Sequence, residues 1–224
     1  MVDDHILNAF ENNVECEVAL VFFDIAGFEK ITMTMRGSKE IAAFIQEYYD
    51  VVIPSIYEEG GVVEKLIGDG IIAMFGEPFL RIPLVAPTKP YEMPELLARA
   101  EAAAMVAIEK MHGKGYQLRC ALHTGAVFFA RAGADKYEEY TMIGKPLTDL
   151  WRLEAAATGK GGIWFYSGTT YDAVVEAQVE RRKALIRCGE PVPPSRWQLA
   201  KPEFVEVPGL GRREIRQLKY VAQR

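Results

Sequence analysis

The 224-residue chain has few cysteines, and the three that it has, Cys16, Cys120 and Cys188, are far apart and form no C-x-x-C pair. This pattern argues against a disulfide framework or a cysteine zinc site and predicts reduced thiols. The chain also lacks any apolar run near the roughly 20 residues of a membrane span, and its start lacks the basic residues of a signal peptide. The sequence therefore predicts a cytoplasmic protein with no membrane partner.

The chain has no basic excess either, since 26 lysines and arginines face 31 acidic residues, a net charge of −5. This argues against nucleic-acid binding, which needs a basic face, although a local basic patch for phosphates stays possible. Half of the residues are hydrophobic, which is enough for a sizeable core. We expect a single domain over residues 1–224, with an N-terminal arm at 1–16 and a C-terminal sheet extension at 179–224.

Residues 61–76 form the most informative stretch of the sequence. They contain two short apolar runs that meet at Gly68-Asp69-Gly70. Asp-Gly between alternating apolar residues predicts a β-hairpin. Turn formation alone is enough to explain Asp69, so this stretch by itself does not establish any chemistry.

A second acid changes the interpretation of Asp69. Residues 18–23 form an apolar strand that runs directly into Asp24. A buried strand does not end in a bare carboxylate without a partner, and two neighbouring acids repel each other unless a cation lies between them. Hard divalent metals take oxygen ligands, and magnesium leaves coordination positions for substrate phosphates. Asp24 and Asp69 are therefore predicted to be metal ligands.

Three ordered motifs, at residues 22–28, 65–70 and 140–144 continuing to 152–154, resemble those of the class III nucleotidyl cyclase catalytic domain. The resemblance covers roughly residues 16–178 of this sequence. It implies an α+β fold with a ferredoxin-like or palm-type βαββαβ sheet, helices on one face and an added C-terminal β extension. It also implies conversion of a nucleoside triphosphate to a 3′,5′-cyclic nucleotide and pyrophosphate.

The resemblance assigns the first set of site residues. Asp24, the carbonyl of Ile25 and Asp69 would hold two divalent ions per site, either Mg²⁺ or Mn²⁺. The backbone at Gly27 and Phe28 would bind the triphosphate, since amides at a helix start suit an anion and glycine permits close approach.

The resemblance also assigns residues to the base, the ribose and the reacting phosphate. Lys65 and Thr141 match the positions that read the base in adenylate cyclase relatives. Arg152 would stabilise negative charge at phosphorus, for which a planar multi-donor group is suited. Thr148 stands where the family usually has an asparagine that orients the ribose. Arg212 or Arg213 is a possible replacement for a phosphate-binding lysine that has no clear match.

In the family, the metal ligands come from one subunit, whereas the base-reading pair and the arginine come from the other. The resemblance therefore implies a homodimer with active sites at the subunit interface. Leu150 and Trp151 replace small residues of the family, and their bulk would either narrow the base pocket or pack into the dimer interface.

The base is the least determined feature. Thr148, the Leu150-Trp151 pair and the expected lack of a sensor domain resemble short standalone bacterial pyrimidine cyclases. Those enzymes make cyclic UMP or cyclic CMP as an antiphage signal for a separate effector protein. The alternative is an adenylate cyclase, which Lys65 and Thr141 favour; a guanylate cyclase usually has an acid at the position of Lys65. An alternative of another class is a catalytically silent nucleotide-binding regulator.

Other features have mainly structural interpretations. Residues 38–59 repeat apolar side chains at helical spacing, with Tyr48 and Tyr49 as core aromatics that have a hydroxyl at the rim, or as contacts to a base. Residues 77–94 form a Pro-rich loop, interpreted as a lid, a dimer contact or solvated chain. His123 is interpreted as structural. A diguanylate cyclase is excluded because the sequence has no Gly-Gly-Asp/Glu-Glu-Phe run.

Overall fold

The computed structural model describes residue 11 and residues 14–77, 91–157, 161–191 and 195–222. The elements in chain order are β1 (Glu15–Ile25), α1 (Phe28–Thr32), α2 (Ser38–Glu58), β2 (Val62–Ile67), β3 (Gly70–Phe75), α3 (Met93–Gly113), β4 (Leu118–Ala134), β5 (Tyr137–Ile143), α4 (Lys145–Ala156), β6 (Gly162–Tyr166), α5 (Thr170–Arg187), β7 (Trp197–Leu199), β8 (Glu203–Val207) and β9 (Gly211–Tyr220).

One mixed sheet contains all the strands of the described residues, in the order β2-β3-β1-β4-β6-β9-β7. β5 pairs with the C-terminal half of β4, and β8 pairs with β9. β1 lies between β3 and β4 and is antiparallel to both, whereas β6 is parallel to β4. This central position explains why β1 is a continuous apolar run: both faces of the strand are covered by other parts of the protein. The predicted α+β palm-type fold is confirmed.

The sheet has a separate apolar core on each face, because successive side chains of a strand point to opposite sides. Val21 and Phe23 of β1 pack in the core that also contains buried residues of α2, α3 and α5. Leu20 and Phe22 pack in the other core, together with Leu153 of α4. The expectation of helices on one face needs a correction here: α4 lies on the opposite face, where its apolar stripe is buried.

The predicted elements near the candidate site lie where the sequence places them. The hairpin is formed by β2 and β3, and the helix predicted over 38–59 is α2. β4 is longer than its apolar core requires, since it runs on to pair with β5 as a β-hairpin arm. The C-terminal sheet extension was predicted over 179–224. The first part of this range belongs to α5, which continues to Arg187, and the first added strand begins at Trp197.

Most of the predicted N-terminal arm and of the Pro-rich loop at 77–94 lies outside the described residues. Among the helices that are described, none has the length and apolar character to span a membrane.

Candidate active site

The two predicted acids lie together at the edge of the sheet. Asp24 is the second-last residue of β1, and Asp69 lies in the turn between β2 and β3. Because β3 pairs with β1, with Ile71 opposite Phe23, this turn is brought to the end of β1. The Asp69 carboxyl lies near enough to Asp24 that its negative charge helps to raise the pKa of Asp24.

Arg119 is the main basic group next to these acids. It lies directly opposite Asp24 in the β1–β4 pairing. Its Nη2 donates to Asp24 Oδ2 at 2.6 Å and also to Glu154 of α4, and its Nη1 donates to the Ala157 carbonyl at 2.9 Å. Glu154 lies in the third motif, but the sequence analysis assigned no role to it, and it did not identify Arg119. The available signal was an arginine within an apolar strand, where a charge requires a partner.

Asp24 and Asp69, which we call the acid group, lie with Glu154 around Arg119 and carry more acidic groups than this one arginine can balance. Burial raises the pKa of Asp24 to about 7; Arg119 opposes this shift, while Asp69 and Glu154 add to it. The Arg119 guanidinium thus binds two carboxyl groups, Asp24 and Glu154, and Asp69 places a third one near Asp24. Carboxylate oxygens are ligands that suit a divalent cation. Over the described ranges, no three His, Cys, Asp or Glu side chains form a ligand group for a metal. Further ligands would have to be backbone or substrate oxygens.

The segment after Asp24 brings backbone rather than side chains to the site. Gly27 has a left-handed φ of 79° at the start of the five-residue helix α1, a conformation that favours glycine. The Phe28 ring stacks on Phe44 with the centroids 6.3 Å apart, and the Ile25 side chain is buried in the core. Any contact of Ile25 or Phe28 with a metal or triphosphate would therefore be made by main-chain atoms.

Tyr49 supports the turn that carries Asp69. Its hydroxyl donates to the Gly68 carbonyl at 2.6 Å. The neighbouring Tyr48 is fully buried in the core, so the two tyrosines differ in role.

We expect Tyr49→Phe to lower the free energy of unfolding by about 1 kcal/mol, the usual net worth of one hydrogen bond. The measurement is urea denaturation, with Tyr57→Phe as the control because Tyr57 is an exposed tyrosine of the same helix. Equal stability of the two variants would contradict this role for Tyr49.

The two predicted base-reading residues are linked through two glutamates. Lys65 Nζ lies 3.1 Å from Glu139 Oε1, and Thr141 Oγ1 donates to Glu64 Oε1 at 3.1 Å. Glu139 and Thr141 share one face of β5, and a register shift between Val63 and Lys65 disturbs the alternation of β2. The shift allows neighbouring side chains of β2 to reach the same strand, which brings Lys65 and Thr141 to one surface.

Arg152 and Thr148 lie one turn apart on α4 and so share a face of the helix. The Arg152 guanidinium packs against Gly209 in the turn between β8 and β9, where a Cβ atom would lie 3.0 Å from Nη2. Its Nη1 lies 3.6 Å from Oδ1 of Asp149, a buried acid that sequence analysis did not single out. Asp149 thus helps to orient Arg152.

The structure distinguishes the two arginines of β9. Burial raises the pKa of Tyr166 to about 12, and the positive charges of Arg152 and Arg213 act against this shift. Arg213 is paired with Val205, which packs against the core that contains Leu153 of α4. Arg213 therefore lies on the face of the sheet that the helix of Arg152 covers. Arg212 instead stacks over the Phe204 ring at 4.9 Å from its centroid.

The two bulky residues before Arg152 have different surroundings. Leu150 is fully buried in the core beneath α4, so its bulk fills the protein interior. Trp151 is 39% exposed and packs edge-on against Phe22, with the ring centroids 5.0 Å apart. Only Trp151 therefore places added bulk at the surface of the helix.

His123 packs edge-on against Tyr166, with 5.5 Å between the ring centroids. Burial lowers its pKa, which favours the uncharged imidazole. These contacts agree with the structural interpretation of this histidine.

The candidate residues thus fall into two groups: the acid group, Asp24 and Asp69, and an arginine group, Thr148 and Arg152. In the described part of the chain, the ion pair of Arg152 is with Asp149, and none joins it to Asp24 or Asp69. Arg119 connects the two groups indirectly, since it binds both Asp24 and the helix that carries Arg152.

Among the comparisons with known proteins, the solved structures show the fold, and none shows which base this chain would bind. No family model matches the chain. An uncharacterized protein of Mycobacterium tuberculosis is 29% identical over 169 residues, which are 75% of this chain and 29% of that protein. A second uncharacterized protein of that organism is 29% identical over 62% of this chain and 23% of its own length. The chain therefore spans less than a third of the length of these relatives.

Solved structures of cyclases are similar over nearly the whole chain. The adenylyl cyclase CyaB from P. aeruginosa has a TM-score of 0.69 at 17% identity, over 95% of this chain and 97% of that one. The guanylate cyclase domain of RhGC from Catenaria anguillulae, in complex with GTP, has a TM-score of 0.65 at 18% identity, over 93% and 100%. A rhodopsin-guanylyl cyclase core with converted specificity, in complex with ATPalphaS, has a TM-score of 0.65 at 19% identity, over 92% and 97%. The chain therefore has the fold of adenylyl and guanylyl cyclase catalytic domains.

Proposed function

We propose that this protein is a nucleotidyl cyclase, which converts a ribonucleoside triphosphate to a 3′,5′-cyclic nucleotide and pyrophosphate. The observation that carries the proposal is the pair Asp24 and Asp69, held together at the edge of a sheet with the cyclase fold. A purely structural domain has no need for two neighbouring, partly buried acids at this edge of the sheet.

The reaction is an attack of the ribose 3′-oxygen on the α-phosphorus, with loss of pyrophosphate. Asp24, Asp69 and the Ile25 carbonyl would hold two Mg²⁺ or Mn²⁺ ions, which supply Lewis acidity at the 3′-hydroxyl and neutralise the triphosphate. The backbone at Gly27 and Phe28 binds the phosphates. Because the nucleophile is part of the substrate, the protein mainly positions groups and balances charge.

Arg152 stabilises the charge that develops at phosphorus, and Thr148 contacts the ribose with its hydroxyl. Arg213 is assigned to the phosphates in preference to Arg212, since it lies on the face of the sheet that the helix of Arg152 covers.

A head-to-tail homodimer brings the acid group of one protomer to the Arg152 group of its partner. The separation of the two groups within one chain supports this arrangement, because neither is complete alone. Exposed apolar side chains at Phe128, Ile143 and Trp151 also support it, since a subunit interface would cover them.

For the base, we propose a pyrimidine: UTP giving cyclic UMP, or CTP giving cyclic CMP. The support is Thr148 in place of an asparagine and the exposed bulk of Trp151 next to Arg152. The product would act as a cytoplasmic antiphage signal for a separate effector protein.

An adenylate cyclase is the second candidate. Lys65 and Thr141 lie on one surface, each held by a glutamate, and they match the adenine-reading positions of the resemblance. The Lys65 ammonium is a hydrogen-bond donor, and the Thr141 hydroxyl and the two glutamates are oxygen acceptors beside it. This combination suits a base edge with a ring nitrogen next to an amino group, as in adenine.

The test is to incubate the purified protein with Mn²⁺ and each of the four ribonucleoside triphosphates, and to identify the cyclic products by mass spectrometry. We expect UTP or CTP to react at least about tenfold faster than ATP, since a buried base edge rejects mismatched partners. Faster turnover of ATP would reject the pyrimidine assignment. Nucleotide binding without any product would favour the silent regulator instead.

A further inference from the structure

Arg119 binds one of the two carboxylate oxygens of Asp24, the predicted metal ligand. Its Nη2 lies 2.6 Å from Asp24 Oδ2, and the same nitrogen binds the Glu154 carboxyl. One Nη group is thus shared by two acids that belong to different elements, β1 and α4. A third contact, from Nη1 to the Ala157 carbonyl, holds the guanidinium near the end of α4.

The sharing has an electrostatic consequence at Asp24. A cation on this carboxylate would lie close to the Arg119 charge and would repel it at short range. Glu154 offers Arg119 an alternative partner without a large movement, because the two already touch. Both side chains are mostly buried, so solvent screens this competition only weakly.

We propose that Arg119 is a positioning residue that competes with the divalent metal for Asp24. When the metal binds, Arg119 releases Asp24 and transfers fully to Glu154, with which it already forms an ion pair. This inference rests on the proposed function for the identity of the site. Since Glu154 lies two residues after Arg152 on α4, the transfer links metal binding at the acid group to the helix that carries Arg152.

The proposal predicts opposite effects for two substitutions. Arg119→Gln removes the competitor, so Mn²⁺ should bind about tenfold more tightly, although cyclic nucleotide formation should fall because Asp24 is no longer oriented. Glu154→Gln removes the alternative partner but keeps the side-chain shape, so Mn²⁺ should bind about tenfold more weakly. If Arg119 were only structural, its loss would weaken both Mn²⁺ binding and turnover.

The readout is Mn²⁺ affinity of the full chain without nucleotide, from the loss of the free Mn²⁺ signal in electron paramagnetic resonance. Arg131→Gln is the matched control, because Arg131 is an exposed arginine of the same strand that pairs with Glu138. It should leave the affinity unchanged. Should Arg119→Gln fail to fold, equal or tighter Mn²⁺ binding by Glu154→Gln would still overturn the proposal.

A double-mutant cycle separates the transfer from a simple effect of nearby charges. If Glu154 acts through Arg119, Glu154→Gln should have little effect when Arg119→Gln is already present. Independent, additive effects of the two substitutions would overturn the transfer. Asp69→Asn tests the underlying site: if it leaves Mn²⁺ affinity unchanged, the proposed metal site itself fails, whatever the behaviour of Arg119.

Discussion

Asp69→Asn is expected to lower cyclic nucleotide formation by at least about 100-fold, the scale seen when one group that stabilises a transition state is removed. The amide keeps the size of the side chain but loses the negative charge that a divalent ion requires. The turn itself should survive, because Asn-Gly forms the same hairpin turn as Asp-Gly. The change therefore tests the chemistry of Asp69 and not its role in folding.

Asp50→Asn is the matched control for this prediction. Asp50 is an exposed aspartate of α2 that accepts a hydrogen bond from Gln46 at 2.8 Å. We expect normal turnover in this variant and an unfolding curve like that of Asp69→Asn. Unchanged turnover in Asp69→Asn would rule out the metal assignment.

A mixture of two inactive variants is expected to recover activity. Asp69→Asn and Arg152→Ala should each be nearly inactive as homodimers. In a mixed dimer, one site combines the intact acids of one protomer with the intact arginine of its partner. Random exchange of subunits makes half of the dimers mixed, with one working site of two, so about a quarter of the native activity should return.

The control for this experiment is a mixture of Asp69→Asn with Asp24→Asn. Both substitutions damage the acid group, so every site in the mixed dimer keeps a defect and no activity should return. Recovery in neither mixture, with an active unmodified protein, would contradict a site shared between protomers.

The sequence was informative where a structure depends on nearby residues. The hairpin around Asp69 follows from its Asp-Gly turn, and β1 follows from an unbroken apolar run that needs cover on both faces. The three motifs then predicted that the hairpin and β1 belong to one palm-type sheet, and the structure contains this sheet. The local strand and turn patterns, together with the motifs, also predicted that Asp24 and Asp69 lie at the ends of neighbouring strands.

Contacts between distant parts of the chain were not predictable in this way. Arg119 is 95 residues from Asp24 and 35 from Glu154 along the chain, and only the β1–β4 pairing brings these side chains together. Asp149 is buried and α4 lies on the sheet face of Leu20 and Phe22 because α4 packs against strands that are distant in sequence. The residue pattern of α4 alone does not indicate which strands it packs against. The glutamates that hold Lys65 and Thr141 depend on a local irregularity of β2 that its residue pattern does not indicate.

The division of each chain into an acid group and an arginine group has a consequence for output in the cell. Under the proposed arrangement, a lone chain is silent, and product appears only after two chains meet. At concentrations well below the dissociation constant of the pair, the rate would grow with the square of the amount of protein. A modest rise in synthesis would then give a disproportionate burst of messenger, and dilution by growth would switch it off.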